Sequence, residues 1–335
     1  MSVEVTSDAV ILKRASGASC EIALFGAHVR SWKLADGAEQ MYVSSATKGP
    51  PAALRGGVPI CFPQFADRGP GGKHGFARTS SKWKLISSSS EPSPTCSFEL
   101  RADDETRGSF PCEFRLLYHV TLAADATLAL AMQVLNESDE PAEFTTALHT
   151  YLRVADVTTA RIEVRRPPGS EARPRPHRRL LASAPCALVR RRCPASVYCL
   201  IARGARARRP RALPPQGLAG AVYEDCAIAK GADGKPVRKT EESEQLALVG
   251  EVDRVYLATP ASLLMSDGAK RIRILATGFK DTVVWNIGEA KAASLNDLGA
   301  GEWRQYVCVE SAVIDKPVKL GPRTSWMGGV SYTSL

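Results

Sequence analysis

Residues 141–156 read PAEFTTALHTYLRVAD, and the alternation in this stretch decides the fold class. In an extended chain Phe144, Thr146 and Leu148 lie on one face. Four residues occupy the opposite face: Ala147, His149, Tyr151 and Arg153. The first face is typical of a strand packed on a hydrophobic core. The second, with its histidine, tyrosine and arginine, predicts a sheet face turned toward water or a polar cleft.

Similar patterns recur along most of the chain. Short apolar runs with partial alternation are separated by Gly, Ser, Asp and Pro, and helical periodicity is rare. The chain has 335 residues, of which 44% are hydrophobic, so it can bury a substantial core. We therefore expect one large, antiparallel, all-β domain.

Composition indicates a soluble cytoplasmic protein. No run is long and apolar enough to span a bilayer, and the first residues, MSVEVTSDAVILKR, have neither signal-peptide nor transit-peptide character. The nine cysteines are odd in number and show no C-x-x-C spacing. This usage indicates reduced thiols rather than a disulfide framework or a zinc site.

The positive net charge belongs to one segment. Residues 165–217 hold fourteen arginines, nine prolines, no lysine and one acid, which gives +13. Subtracting this from the +9 of the whole chain leaves −4 for the remainder. The segment has no sustained period, so we expect a disordered or poorly specified insertion. An RNA-binding or partner-binding arm is the alternative, but Tyr198 is its only aromatic residue.

A second distinctive stretch is the loop at residues 54–78, LRGGVPICFPQFADRGPGGKHGFAR. Its glycines and prolines allow or fix backbone shapes that regular structure does not use. Lys73, His74 and Arg78 lie near its end. Such a shaped loop favours ligand binding, and its arginines could hold a phosphate or carboxylate. A plain surface crossover with solvated charges is the alternative.

A candidate acid–base pair lies on two strands elsewhere. Alternation in YVCVE places Tyr306, Cys308 and Glu310 on one face of a strand. Glu310 and His149, facing one cleft, could exchange protons with a substrate near neutral pH. Either residue alone is more often structural. No nucleophile elbow, phosphate loop or dinucleotide fingerprint occurs, and the five histidines lack metal-ligand spacing, so we expect no metal and no cofactor.

Several separate motifs together resemble one family. RGGVPICFPQF, HGFAR, ALHTYLRVADV, EVDRVYLATP, VVWN and YVCVESAVI occur in the order found in the glucose-6-phosphate 1-epimerase (hexose-6-phosphate mutarotase) branch of the aldose 1-epimerase family. The similarity covers about residues 5–163 and 217–330 but not the arginine-rich segment. It implies a galactose-mutarotase-like β-sandwich over the whole chain, one sugar cleft and no cofactor. It also implies interconversion of the α and β anomers of an aldohexose 6-phosphate. Separately from the resemblance, we expect a monomer with no membrane or nucleic-acid partner.

The resemblance assigns roles to individual residues. It makes His149 and Glu310 catalytic, with ionised Glu310 accepting a proton while protonated His149 donates one. The residues matched to substrate binding are Arg55, His74, Arg78 and Asp253, of which Arg55 and Arg78 would contact the phosphate. Lys73 departs from the family pattern, which usually has Gln at that position, and we expect it to bind substrate as an added cation beside the phosphate. A non-catalytic sugar-phosphate sensor on the same fold is the alternative function.

Overall fold

The computed structural model describes residues 1–163, 218–231 and 234–335. In chain order its strands are β1 (Ser2–Val5), β2 (Ala9–Lys13), β3 (Ser19–Ala23), β4 (His28–Lys33), β5 (Ile60–Cys61), β6 (Lys84–Ser89), β7 (Thr95–Arg101), β8 (Phe114–Leu122), β9 (Leu128–Asn136), β10 (Ala142–Leu148), β11 (Tyr151–Arg153), β12 (Arg161–Glu163), β13 (Val222–Asp225), β14 (Val237–Thr240), β15 (Gln245–Ala247), β16 (Val252–Tyr256), β17 (Ser262–Ser266), β18 (Arg271–Thr277), β19 (Asp281–Asn286), β20 (Tyr306–Leu320) and β21 (Ser325–Ser334). The short α-helices in these ranges are α1 (Asp104–Arg107) and α2 (Gly288–Ala292). Single 3₁₀ turns lie at Phe25–Ala27, Ala77–Thr79, Ala124–Ala126 and Glu302–Gln305.

The strands form three antiparallel sheets. Strands β1 to β4 form the first in sequence order. The second has eight strands in the order β14-β13-β16-β19-β20-β10-β5, with β11 also paired to β20. The third has nine in the order β15-β12-β17-β18-β21-β9-β8-β7-β6. The prediction of a large, antiparallel, all-β fold is therefore confirmed.

The apolar face of β10 packs in the main core. Phe144 and Leu148 are 2% and 0% exposed. Between them, the hydroxyl of Thr146 lies 3.4 Å from the sulfur of Met132 on β9, so this face meets the nine-stranded sheet. Burying side chains the size of Phe or Leu contributes about 1.5–3 kcal/mol each. The alternation read from the sequence thus fixes which face of the strand enters the core.

The other face of the eight-stranded sheet carries the polar cleft. Ala147, Val283 and Ala312 form a small buried cluster on that face. His149 follows directly after β10, and Tyr151 begins β11. Arg153, predicted on the same face, donates to the carbonyl of Met41 at 3.3 Å and to Gln305 Oε1 at 3.2 Å.

The loop at residues 54–78 is held close to the sheets by backbone contacts. Gly57 has φ +60°, and a Cβ there would lie 2.2 Å from the carbonyl oxygen of Val29. Gly75 has φ +68°, and a Cβ there would lie 2.1 Å from the carbonyl oxygen of Phe62. Only glycine fits such positions, because both the dihedral angle and the available space exclude a side chain. The loop is therefore a shaped element, in agreement with its composition.

The predicted insertion at residues 165–217 lies outside the described residues, so it stays a prediction, as does the single interrupted domain. Within the described ranges, no helix combines the length and apolar character needed to cross a membrane.

Candidate active site

A row of side chains crosses four strands of the eight-stranded sheet. Asp253 on β16 is in register with Trp285 on β19, and Trp285 is in register with Cys308 on β20. Cys308 is in turn opposite Tyr151 on β11. Residues in register across a sheet point to the same face, so these four side chains define the cleft floor. Glu310, two residues after Cys308, lies on that face as well.

His149 and Glu310 meet on this floor. Nδ1 of His149 lies 3.3 Å from Oε1 of Glu310, and their side chains are 12% and 1% exposed. Neither Nδ1 of His149 nor Oε2 of Glu310 has a hydrogen-bond partner among the described residues, although both atoms are buried. Buried polar atoms without partners are uncommon and are typical of sites that a ligand completes. The structure thus brings together the two residues predicted to be catalytic.

Aromatic rings hold the imidazole of His149 in place. The ring of Tyr151 stacks on it with centroids 4.8 Å apart and an interplanar angle of 8°. Trp285 and His74 present edges to it at centroid distances of 5.8 and 5.4 Å. These contacts leave the ring little rotational freedom, which suits a group that must exchange a proton at a fixed point.

Burial moves both members of the pair toward their neutral forms. Loss of hydration lowers the pKa of His149 well below its usual value, and the neighbouring His74 and the charges of Arg55 and Arg78 lower it further. Burial raises the pKa of Glu310 well above its usual value, with a further increase from nearby Asp253. In the free protein both groups are therefore favoured in their neutral forms, and the carboxyl group of Glu310 carries a proton. The predicted pairing of an ionised Glu310 with a protonated His149 needs that proton to move.

His74 faces the cleft as a neutral donor. Its backbone has φ +66°, and its Nδ1 accepts a hydrogen bond from the amide of Ala66 at 3.1 Å. An amide can only donate, so Nδ1 carries no proton and the neutral ring carries its proton on Nε2. Burial, followed by the charge of Arg78, lowers the pKa of His74 to about 3, which keeps the ring neutral. A neutral N–H donor suits a sugar hydroxyl.

Arg55 has a partner that the sequence did not indicate. Its guanidinium makes a bidentate ion pair with Asp297, with Nε–Oδ1 and Nη2–Oδ2 distances of 3.2 and 3.0 Å. Its Nη1 donates to the hydroxyl of Tyr151 at 3.1 Å. Arg55 is thereby connected to the ring that stacks on His149. Asp297 follows α2 and lies outside every motif quoted from the sequence.

The remaining predicted binding residues lie around the same cleft. Nη2 of Arg78 donates to the carbonyl of Lys73 at 2.9 Å, and its buried Nε has no partner among the described residues. The side chain of Lys73 is exposed, and its charge acts on both His74 and Asp253. Burial, with a contribution from the neighbouring Glu251, raises the pKa of Asp253 to about 6.

Cys308 also belongs to the site, although its side chain was noted only for its strand face. Atoms of His149, Cys308 and Glu310 that could ligate a metal lie within 4.8 Å of one another. Trp285, within the quoted VVWN motif, is a further cleft residue that sequence reasoning did not assign. Strand alternation in the sequence shows which side chains share a face with these two residues. Their place in the cleft depends in addition on the register between strands, which only the fold provides.

The fold and this site define a class of protein. A family model described as aldose 1-epimerase matches residues 8–180, and the chain belongs to the aldose 1-epimerase family. Members of this family are sugar epimerases, so the chain is an isomerase that acts on the anomeric centre of a sugar. The galactose-mutarotase-like fold that the resemblance implied is confirmed.

Individual relatives are similar over nearly the whole chain. A protein of Cenchrus ciliaris named "Putative glucose-6-phosphate 1-epimerase" is 29% identical over 338 residues, covering 97% of this chain and 84% of the relative. An Escherichia coli K12 protein of the same name is 28% identical over 305 residues, covering 89% and 81%.

Solved structures match the fold. The crystal structure of a "putative mutarotase" from Salmonella typhimurium has a TM-score of 0.72 and 21% identity, covering 99% of this chain and 92% of that one. A "galactose mutarotase-like protein" from Clostridium acetobutylicum has a TM-score of 0.65 and 13% identity, covering 100% and 98%.

Proposed function

We propose that this protein interconverts the α and β anomers of glucose 6-phosphate, with His149 and Glu310 as the proton-transfer pair. The observation that supports this most strongly is the approach of these two side chains to 3.3 Å on the cleft floor. Each also has a buried polar atom left unpartnered by the described residues. Two groups with pKa values displaced in opposite directions can divide acid and base roles.

The reaction proceeds by opening and closing the sugar ring. Ionised Glu310 accepts the proton of the anomeric hydroxyl while protonated His149 donates a proton to the ring oxygen. The C1–O5 bond breaks, leaving an aldehyde at C1 and a hydroxyl at C5. After rotation about C1–C2, the hydroxyl attacks the opposite face of the aldehyde and both protons return to their starting groups. No atom is gained or lost.

Phosphate binding would favour the protonation state that this mechanism needs. After burial and His74, Arg55 and Arg78 are the next causes that lower the pKa of His149. A phosphate dianion bound by the two arginines would offset their charges and so raise the pKa of His149. The proton would then pass more readily from Glu310 to His149. The same phosphate that provides affinity would thus prepare the pair for ring opening.

The two arginines have donors available for a phosphate. A guanidinium has five N–H groups, and Arg55 uses three of them in its bonds to Asp297 and Tyr151. Arg78 has a buried Nε with no partner among the described residues. Bidentate recognition of phosphate is the usual role of such guanidinium groups. The names of the Cenchrus ciliaris and Escherichia coli relatives agree with this substrate.

The remaining predicted contacts complete the sugar pocket. His74 would donate from Nε2 to a ring hydroxyl, and Asp253 would accept from another. Lys73 would add a cation near the phosphate in place of the glutamine usual in the family. The protein is further proposed to act in the cytoplasm as a monomer without a metal or cofactor.

Exchange NMR between the two anomeric protons tests this proposal. Wild-type protein should accelerate exchange of glucose 6-phosphate more than that of glucose or galactose. Arg55→Ala and Arg78→Ala should raise KM for glucose 6-phosphate at least tenfold, since each removes a charge-assisted contact worth about 1.5–3 kcal/mol, while leaving glucose nearly unchanged. Arg238→Ala is the matched control, because Arg238 pairs with Glu224 and Asp315 instead.

Two outcomes would change the proposal. Equal acceleration of all three sugars would remove phosphate from the substrate definition. Binding of glucose 6-phosphate with no acceleration by the wild-type protein would favour a sugar-phosphate sensor.

A further inference from the structure

A thiol completes a potential metal site on the cleft floor. The ligand atoms of His149, Cys308 and Glu310 lie within 4.8 Å of one another. Cys308 is fully buried, and the side chain of Glu310 is 1% exposed. In the proposed reaction His149 and Glu310 transfer protons, but Cys308 has no role. Its position beside both residues therefore calls for a separate explanation.

Two of the buried atoms in this cluster lack partners. Nδ1 of His149 and Oε2 of Glu310 make no hydrogen bond to any described residue. In a typical protein interior such atoms are satisfied by protein or water. A metal ion held by the three side chains would bind lone pairs of His149 and Glu310 that accept no hydrogen bond from the described residues. This observation is independent of the spacing of the three residues.

The chemistry of the donor set selects a class of metal. Thiolate, imidazole and carboxylate are the ligands that zinc uses, and three protein ligands leave a fourth position open. A thiolate favours Zn²⁺ and its softer analogue Cd²⁺ over Mg²⁺ and Ca²⁺, which prefer oxygen ligands. The fourth position would face the cleft, where a water molecule or a sugar hydroxyl could occupy it.

We propose that the cleft binds one Zn²⁺ or Cd²⁺ ion through His149, Cys308 and Glu310, and that this ion inhibits the enzyme. Coordination forms one bond each to nitrogen, sulfur and oxygen, and the thiol and carboxyl protons are released to solvent. The ion then holds the electron pairs through which His149 and Glu310 would exchange protons with a sugar. The positive charges of Arg55 and Arg78 act on the cluster and repel a cation. We therefore expect the ion to bind reversibly and not as a resident cofactor.

Cadmium titration tests the site directly. The protein, first treated with a chelator, is titrated with Cd²⁺ while thiolate-to-cadmium charge-transfer absorbance is recorded. Cys308→Ser should weaken one binding event by at least about tenfold, because the soft ligand is lost. Cys226→Ser is the matched control, since it removes an exposed thiol outside the cluster and should leave that event unchanged.

The result that overturns the site is an unchanged titration in Cys308→Ser. If that variant does not fold, Glu310→Gln provides a second test, and its binding must weaken for the proposal to stand. Inhibition is measured on the wild-type protein, where Zn²⁺ should block anomer exchange in competition with sugar and Mg²⁺ at equal concentration should not. Equal inhibition by Mg²⁺ would also overturn it.

The inhibition claim rests on the proposed function, but metal binding does not. Absence of anomer exchange in chelator-treated protein would count against the function and leave the absorbance test intact. Normal exchange with no cadmium absorbance change would count against the metal site alone.

Discussion

Protonation of His28, a buried residue that contacts the substrate loop, should destabilise the folded protein. This residue begins β4 and is 1% exposed, and its Nε2–H donates to the carbonyl of Gly56 at 2.8 Å. The bond holds the backbone next to Arg55, at the start of the loop at residues 54–78. Burial is the main cause that lowers the pKa of His28 to about 4, from a usual value of 6.5.

The sign and size of the effect follow from that difference. The unfolded chain binds a proton on this histidine near pH 6.5, whereas the folded chain does so only near pH 4, so acid favours unfolding. The stabilisation from the neutral ring is complete above pH 6.5 and is lost progressively as the pH falls toward 4. At pH 5 the loss amounts to about 2 kcal/mol, on the basis of about 1.36 kcal/mol per pKa unit.

Urea unfolding at pH 7 and pH 5 measures this loss. His28→Gln keeps an N–H donor but cannot titrate. Comparison with this variant therefore separates the pH dependence caused by His28 from that caused by carboxylates, which also gain protons between pH 7 and pH 5. Between the two pH values the wild-type protein should lose about 2 kcal/mol more unfolding free energy than His28→Gln. His119, whose pKa burial also lowers to about 4, gives a parallel comparison through His119→Gln. An equal pH dependence in wild type and His28→Gln would refute the reasoning.

Two further predictions concern the loop and its arginine. Gly57→Ala should lower the unfolding free energy by more than about 3 kcal/mol, because the new Cβ would collide with the carbonyl oxygen of Val29. Gly37→Ala is the control and should lower it by only about 1–2 kcal/mol, because a Cβ there has no atom within 4 Å and only the positive φ is unfavourable. Similar urea midpoints for the two alanine variants would contradict this. Asp297→Asn should tighten inorganic phosphate binding about fivefold in calorimetry by freeing Arg55 from its carboxylate, or about 1 kcal/mol. Weaker phosphate binding in this variant would show instead that Asp297 positions the guanidinium.

The fold could be predicted because its signals are local. The alternation at residues 141–156 correctly indicated that Phe144 and Leu148 enter the main core, and Ala147 lies in the separate cluster on the other face. The glycines and prolines of residues 54–78 likewise indicated a shaped loop, in which Gly57 and Gly75 have positive φ with no room for a Cβ. Each of these features depends on the few residues on either side of it, so the sequence alone expresses it.

The site was only partly predictable, because its contacts join distant parts of the chain. Asp297 pairs with Arg55 across 242 residues, and no local pattern marks it as a partner. The protonation of His149 and Glu310 depends on burial, which a sequence does not report. For that reason the expected ionised carboxylate differs from the neutral pair favoured in the free protein.

The measurement that tests the central claim most directly is anomer exchange of glucose 6-phosphate by variants of the catalytic pair. His149→Ala and Glu310→Gln should each slow exchange by about 10²–10⁴-fold, the usual value of one positioned proton transfer. Both should still bind glucose 6-phosphate with near wild-type affinity in calorimetry, because the phosphate contacts remain. Near wild-type exchange by either variant would contradict the assignment of His149 and Glu310 as the groups that open the ring.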